Sequence, residues 1–141
     1  MTPGPDLGTP QVVTISSDAD VVRVRQLVRS TAVTIALSLV DQTKLVTAAS
    51  ELARNTLVYG GGGNAEVAIL DGGRRKGIRI VFADQGPGIA DLDLALTDGY
   101  TSGGGLGLGL GGARRLVDEF EVDSGAGRGT RVVITKWARS G

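Results

Sequence analysis

The sequence predicts an α+β fold in which helices cover one face of a mainly antiparallel sheet. Strand-like segments follow one another in pairs joined by short turns, and two long stretches of helical periodicity stand together after the first strand. The resulting order is a strand, two helices, two strands, a glycine-rich loop, a helix and two strands. Because the strands are neighbours in hairpins and not parts of repeated βαβ units, the helices are expected on one side of a single sheet.

The first half of the chain contains one predicted strand and two predicted helices. The segment Gln11–Ser17 is rich in β-branched residues, which favour strands. Asp18 is placed to cap a helix that runs to about Leu39, and Asp41 is placed to cap a second helix. The second helix covers Gln42–Tyr59, because the glycines that follow it are typical of a helix end.

The second half of the chain contains the glycine-rich loop, one more helix and four strands. Residues 1–10 contain three prolines and no apolar cluster, so they are predicted to be a disordered tail before a single domain over residues 11–141. The elements of this half are strands Glu66–Leu70 and Ile78–Ala83, a helix over Leu106–Val117, and strands Phe120–Asp123 and Thr130–Trp137.

The composition excludes several kinds of chemistry. The chain has no cysteine, which excludes disulfides and zinc–thiolate sites, and no histidine, which excludes the commonest general base and a phosphohistidine. The 15 basic residues are balanced by 15 acidic ones, so nothing in the charge favours nucleic acid or a membrane surface. With no signal peptide or membrane-spanning apolar run in view, the expected location is the cytoplasm.

A carboxylate and an amide form the first candidate cluster. Glu51 and Asn55 lie four residues apart on the second predicted helix, so they are neighbours on one of its faces. Their oxygens suit magnesium, a hard cation, and the carboxylate could instead accept a proton from an attacking hydroxyl. A solvated polar face explains the same pair without any function.

The second candidate cluster is Asp84-Gln-Gly-Pro-Gly88, directly after a predicted strand. A carboxylate only accepts hydrogen bonds, so Asp84 could bind an exocyclic amine such as that of adenine. Gly86 and Gly88 would allow the backbone to approach a flat ring closely. An ordinary turn has the same composition.

A third cluster alternates glycine with leucine from Gly103 to Gly112. Glycine runs that enter a helix can hold phosphates with backbone N–H groups. Residues 107–112 match G-x-G-x-x-G, but no strand precedes them, so the Rossmann match is accidental; the absence of Gly-Lys-Ser/Thr excludes a P-loop. A smaller fourth element, Gly127-Arg-Gly-Thr130, could place a threonine hydroxyl beside a ligand.

The order and spacing of these four elements resemble the N, G1, G2 and G3 boxes of the GHKL ATPase superfamily, which includes gyrase and histidine kinases. Within it the chain is similar to the RsbT-type serine/threonine kinases, from about residue 11 to residue 137. The segments that carry this closer resemblance are Ser50–Asn55, Asp84–Ile89, Asp98–Gly104, Arg115–Phe120 and Ile134–Trp137.

The resemblance implies a Bergerat-type fold that binds ATP and Mg²⁺. It implies that Glu51 is the catalytic base, that Asn55 holds magnesium, and that Asp84 binds the adenine amine with Thr130 nearby. An ATP lid is implied over about residues 91–104. The residues implied to contact the nucleotide or its metal are Asn55, Asp84, Gly86, Gly88, Gly103, Gly104, Gly105, Leu106, Gly107, Leu108, Gly109 and Thr130.

The resemblance also implies partners. Kinases of this type phosphorylate serine or threonine on STAS-domain antagonist proteins held in a stressosome. Once released, they bind and activate a PP2C-type phosphatase in a σ-factor partner-switching pathway. Two alternatives stay open at this point: an anti-σ factor kinase of the RsbW type, and a non-catalytic docking module that binds ATP.

Overall fold

A computed structural model of the chain describes residues 6–7, 9–88, 96 and 109–139. In these residues three helices and six strands follow one another in an order that confirms the predicted α+β class. The elements are β1 (Asp6–Leu7), β2 (Gln11–Ile15), α1 (Asp18–Thr34), α2 (Leu39–Val58), β3 (Gly63–Asp71), β4 (Lys76–Asp84), α3 (Gly109–Arg115), β5 (Glu119–Ser124) and β6 (Thr130–Trp137).

The strands form one antiparallel sheet. Its order is β1-β3-β4-β6-β5, and β2 pairs with β3 as well. The short strand β1 lies within the predicted tail, where Asp6 and Leu7 pair with the end of β3. Strands β3 and β4 extend beyond their predicted limits and form a long hairpin, which brings the first glycine of β3 level with Asp84 at the end of β4.

The hydrophobic core lies between one face of the sheet and the helices. Alternate strand residues point to this inner face, while residues between them, such as Glu66 and Arg131, are exposed on the outer face. Helix α2 packs against both α1 and α3. In the described part of the chain, no helix has the length and apolar character needed to cross a membrane. The largest fully buried side chains include Phe82, Ile15, Leu45, Leu52, Ile78, Ile80 and Ile134.

Helix α1 begins at Asp18, so its N-cap lies one residue before the predicted cap. Its N-cap is Ser17, and the carboxylate of Asp20 accepts hydrogen bonds from the backbone N–H of Ser16 at 2.9 Å and from the hydroxyls of Ser16 and Ser17. These bonds, led by that of the Ser16 N–H, hold the pKa of Asp20 below its usual value. The turn that precedes α1 is therefore closed by a carboxylate inside the helix.

The boundary between α1 and α2 differs from the predicted one. Helix α1 ends at Thr34, and α2 begins at Leu39 with Ser38 as its N-cap, whose hydroxyl accepts the Asp41 N–H at 3.1 Å. The prediction that Asp41 caps α2 is wrong because its carboxylate is bound elsewhere. Asp41 lies in the first helical turn and reaches the C-terminal strand instead.

A buried ion pair joins the start of α2 to the sheet. The Lys136 ammonium lies 3.5 Å from Asp41 and 3.8 Å from Asp118, and it donates to the Leu116 carbonyl at 3.3 Å. The side chains of Lys136 and Asp41 are only 8% and 5% exposed. They line a cleft of about 400 Å³ at the end of the sheet away from Asp84. Removing one partner would leave a buried charge, so this cluster is structural.

Ala36 gives a stability prediction. It has a φ of +62° and closes α1 through two bonds, Leu37 N–H to Ala32 O and Ala36 N–H to Val33 O, which together form a Schellman motif. The left-handed conformation favours glycine over alanine by about 1 kcal/mol. Ala36→Gly should therefore raise the melting temperature by roughly 2–4 °C, measured by thermal unfolding. A lower melting temperature would contradict the assigned conformation.

Candidate nucleotide-binding site

Four small or polar residues form a row across the inner face at one end of the sheet. The pairing register places Gly63 opposite Asp84, Asp84 opposite Thr130, and Thr130 opposite Ser124. The next row inward belongs to the core and includes Ala65, Phe82 and Val132. We call the outer four residues the sheet-end row. They provide polar groups beside an apolar floor, as a site for a flat heterocycle requires.

The Asp84 carboxylate is held in a fixed orientation. Its Oδ1 accepts the Gly86 N–H at 2.9 Å, so the turn that follows β4 closes on the side chain. Gly129, with a φ of +76°, lies directly against the Asp84 carbonyl, where a Cβ would collide with it. A glycine in the turn before the neighbouring strand β6 thus allows the backbone to close tightly around Asp84.

The turn after β4 also packs against the turn between β5 and β6. The Gly127 N–H donates to the Pro87 carbonyl at 2.6 Å. Gly88 has a φ of +78°, and a Cβ at this position would overlap the Gly125 carbonyl. Two segments that are far apart in sequence, the predicted G1 and G3 boxes, therefore form one surface beside the sheet-end row.

The end of α2 reaches Asp84 through a glycine. The Asn55 carbonyl accepts the N–H groups of Tyr59 and Gly60, which turns the chain at the end of the helix. Gly60 then lies against the Asp84 side chain: an added Cβ would stand 2.5 Å from Oδ2, and Gly86 packs on the Gly60 backbone. The turn that follows α2 is thus in direct contact with the adenine-binding candidate, Asp84.

Glu51 and Asn55 project from α2 as half-buried neighbours. Ala48, one turn before Glu51, is fully buried, so the helix offers little bulk beside the pair. Within the described residues, neither Glu51 nor Asn55 uses its side chain in a hydrogen bond or ion pair. Their oxygens are therefore available to a ligand, and the helix that carries them ends at Val58, two residues before the glycine that contacts Asp84.

The arrangement fits a nucleotide with magnesium. Asp84 and Thr130 offer hydrogen-bond acceptors for a base, and the glycines permit close approach to it. Among the described residues, no group of three or more acidic side chains is placed to hold a metal alone. A magnesium ion at Asn55 would thus take further ligands from phosphate oxygens and water, as this ion usually does.

The structure brings together the predicted site residues of the G1 and G3 boxes. Asp84 and Thr130 belong to the sheet-end row, and Gly86 and Gly88 lie in the turn that follows β4. Glu51 and Asn55 lie on α2, and Gly60, two residues after the end of this helix, contacts Asp84. Gly109 begins α3 with a φ of +72° and lies on the helix that packs against α2. Apart from Leu96, which is partly buried against the core, the predicted lid and the nucleotide contacts from Gly103 to Leu108 lie outside the described residues.

Two residues of the site were missed by sequence reasoning. Gly60 was interpreted only as part of a helix stop, although it packs on Asp84. Ser124 was not considered, although its hydroxyl donates to the Gly129 carbonyl at 2.8 Å and lies 2.9 Å from the Thr130 hydroxyl. The sequence could have indicated Ser124, because a turn over residues 125–129 places it opposite Thr130 in the strand pair.

Gly60→Ala should weaken ATP binding more than an equally destabilising change away from Asp84. The new methyl group would overlap the Asp84 carboxylate and would stand 2.6 Å from the Asp84 Cβ, which moves only with the backbone, so the turn after α2 and the end of β4 would have to separate. That shift would misplace a charge-assisted hydrogen bond. We expect ATP affinity to fall roughly 10-fold or more, measured by calorimetry, together with a lower melting temperature. Gly61→Ala is the matched control, since its φ is +74° but its Cβ would meet nothing within 4 Å. It should cost stability and spare ATP affinity; an equal loss of ATP affinity in both variants would contradict the assigned contact.

Comparisons with known proteins agree with this geometry. Residues 40–140 match the family described as histidine kinase-, DNA gyrase B-, and HSP90-like ATPase. The serine/threonine-protein kinase RsbT of Bacillus subtilis (strain 168) is 43% identical over 127 residues, which cover 90% of this chain and 96% of that protein. An anti-sigma F factor of Clostridium novyi (strain NT) is 34% identical over 70% of this chain and 72% of its own length.

A solved structure supports the fold. The RsbU and RsbW domains of a Mycobacterium tuberculosis protein match with a TM-score of 0.64 at 22% identity, over 94% of this chain and 34% of that one. The matched family residues include α2 except its first residue, β4, and the other strands that form the sheet-end row. The chain therefore belongs to the histidine kinase-, gyrase B- and HSP90-like ATPase family, and within it to the RsbT-type serine/threonine protein kinases.

Proposed function

We propose that the chain is an ATP- and Mg²⁺-dependent protein kinase that phosphorylates serine or threonine on STAS-domain proteins in the cytoplasm. When released from them, it binds and activates a PP2C-type phosphatase in a σ-factor partner-switching pathway. The observation that carries the proposal is the contact between the Asp84 carboxylate and Gly60, which closely follows the helix that bears Glu51 and Asn55. The similarity to the Bacillus serine/threonine kinase also supports a kinase function.

The described residues would have two kinds of role in phosphoryl transfer, binding the nucleotide base at one end of the site and assisting the transfer at the other. Asp84 and Thr130 would bind the base and fix the position of the nucleotide. Asn55 would hold magnesium through its amide oxygen, and the ion, when bound, neutralises phosphate charge. Glu51 would accept the proton of the attacking serine or threonine hydroxyl. A carboxylate base suits a hydroxyl acceptor, and the chain contains no histidine for this role.

The proposal is tested with γ-labelled ATP, magnesium, purified STAS-domain proteins and a PP2C-type phosphatase. Label on serine or threonine of a STAS protein supports the kinase activity. A rise in phosphatase activity upon addition of the unlabelled chain supports the second role. ATP binding without any label on the STAS proteins would contradict the kinase activity.

An anti-σ factor role is the second candidate, because an anti-sigma F factor is 34% identical over 70% of the chain. In that case the chain would bind a σ factor directly, and its phosphate acceptor would be an antagonist of that binding. A pulldown with purified σ factors separates the two roles. Capture of a σ factor, with no effect on the phosphatase, would favour the second.

A docking module that binds ATP without catalysis predicts a different pattern. Activation of the phosphatase would then be the same for the unchanged chain and for Glu51→Gln, and neither would label a STAS protein. The half-buried position of Glu51, with side-chain oxygens that no described residue engages, favours the kinase.

A further inference from the structure

We propose that Ser124 is a positioning residue: it accepts the hydroxyl proton of Thr130 and so makes Thr130 a hydrogen-bond acceptor towards the ligand. In this way Ser124 favours the binding of a 6-amino purine over a 6-oxo purine. This inference rests on the proposed function and deepens it, because it concerns how the same site recognises the base of its nucleotide. It assigns a role to a side chain that the four sequence boxes do not contain.

The first step concerns the single hydroxyl proton of Ser124. Its Oγ lies 2.8 Å from the Gly129 carbonyl oxygen, which can only accept. The Ser124 proton is therefore used in this bond. The second bond, between the hydroxyls of Ser124 and Thr130 at 2.9 Å, must then have Thr130 as its donor.

The second step concerns what remains at Thr130. Because its proton points to Ser124, the Thr130 oxygen presents only lone pairs to other groups. The pairing register places Thr130 beside Asp84, whose carboxylate also only accepts. Thr130 and Asp84 therefore form a part of the sheet-end row that only accepts hydrogen bonds.

The third step concerns the ligand. The 6-amino group of adenine donates hydrogen bonds and matches two acceptors, directly or through a water molecule. The 6-oxo group of hypoxanthine or guanine is itself an acceptor and would face lone pairs without a proton between them. Without the bond to Ser124, the Thr130 hydroxyl could rotate its proton towards such an oxygen, and the selection would weaken.

The test compares the dissociation constants of ATP and inosine triphosphate, which has a 6-oxo group in place of the 6-amino group. In Ser124→Ala the ratio of the two constants should shift towards the inosine nucleotide by roughly 3- to 10-fold, the worth of one neutral hydrogen bond. Ser124→Thr keeps a hydroxyl on the strand and should restore the ratio. Thermal unfolding checks that each variant is folded.

A double-mutant cycle separates this role from a merely structural one. Thr130→Val removes the hydroxyl and keeps the shape, so it should weaken ATP binding and leave the inosine nucleotide little affected. In the Thr130→Val background, Ser124→Ala should leave the ratio where it is. Equal shifts in both backgrounds, or an unchanged ratio in Ser124→Ala, would overturn the inference alone. Failure of the unchanged protein to bind ATP would overturn the proposed function, and the inference with it.

Discussion

Replacing Glu51 with glutamine should lower phosphate transfer to a STAS-domain protein by roughly 10²- to 10⁴-fold, the usual contribution of a general base. Glutamine keeps the size and the half-buried position of the side chain but cannot accept the proton. ATP affinity should change little, because in the proposed site the adenine binds at Asp84 and the metal at Asn55. The measurement is the initial rate of label transfer, with ATP binding measured in parallel by calorimetry.

Glu66→Gln is the matched control for this change. Glu66 has an exposed carboxylate on the outer face of the sheet. Its neighbours in β3, Ala65 and Val67, are buried on the inner face. It should leave both the transfer rate and ATP affinity unaltered. Transfer that persists in Glu51→Gln at the rate of the unchanged protein would show that another group, or the substrate itself, removes the proton.

Replacing Asp84 with asparagine should lower ATP affinity by roughly 10- to 100-fold, since a charge-assisted hydrogen bond is lost. The Gly86 N–H, 2.9 Å from Oδ1, will favour the asparagine rotamer that places the amide oxygen at that position. The amide nitrogen then takes the other position and offers a donor to the adenine amine, which is a donor itself. Calorimetric titration with ATP measures the effect.

Asp71 supplies a control of nearly identical local structure. It ends β3 as Asp84 ends β4, and its Oδ1 accepts the N–H of Gly73 at 3.0 Å, again two residues later. Asp71→Asn should therefore cause the same loss of stability in its turn as Asp84→Asn does, but it should leave ATP affinity unchanged. If both variants lost ATP affinity equally, the loss would reflect the fold, and Asp84 would not be a contact of the base.

The sequence predicted those features of the fold that depend on local pattern. The strands around Phe82 and Ile134 follow from runs of β-branched and apolar residues, and α2 follows from its apolar period and terminal glycines. The first residue of α2 could not be predicted from local pattern. Asp41 has the chemistry of a cap, but a buried lysine at the other end of the chain binds it, and only the folded sheet brings Lys136 there.

The same distinction applies to the site. Asp84, Gly86 and Gly88 form a compact segment, so the sequence shows them together, and the spacing of Glu51 and Asn55 shows that they share a helix face. The contacts of Gly60 with Asp84 and of Ser124 with Thr130 join residues on different elements. They depend on how α2 meets β4 and on the exact register of β5 and β6, which no single segment encodes.

The most direct test of the proposed site is a crystal structure of the protein with magnesium and a non-hydrolysable ATP analogue. We expect the adenine amine to lie within hydrogen-bond distance of the Asp84 carboxylate, with Thr130 beside the base. The amide oxygen of Asn55 should coordinate the metal, and Glu51 should face the γ-phosphate. A nucleotide bound away from the sheet-end row, or one whose base contacts neither Asp84 nor Thr130, would contradict the proposed site.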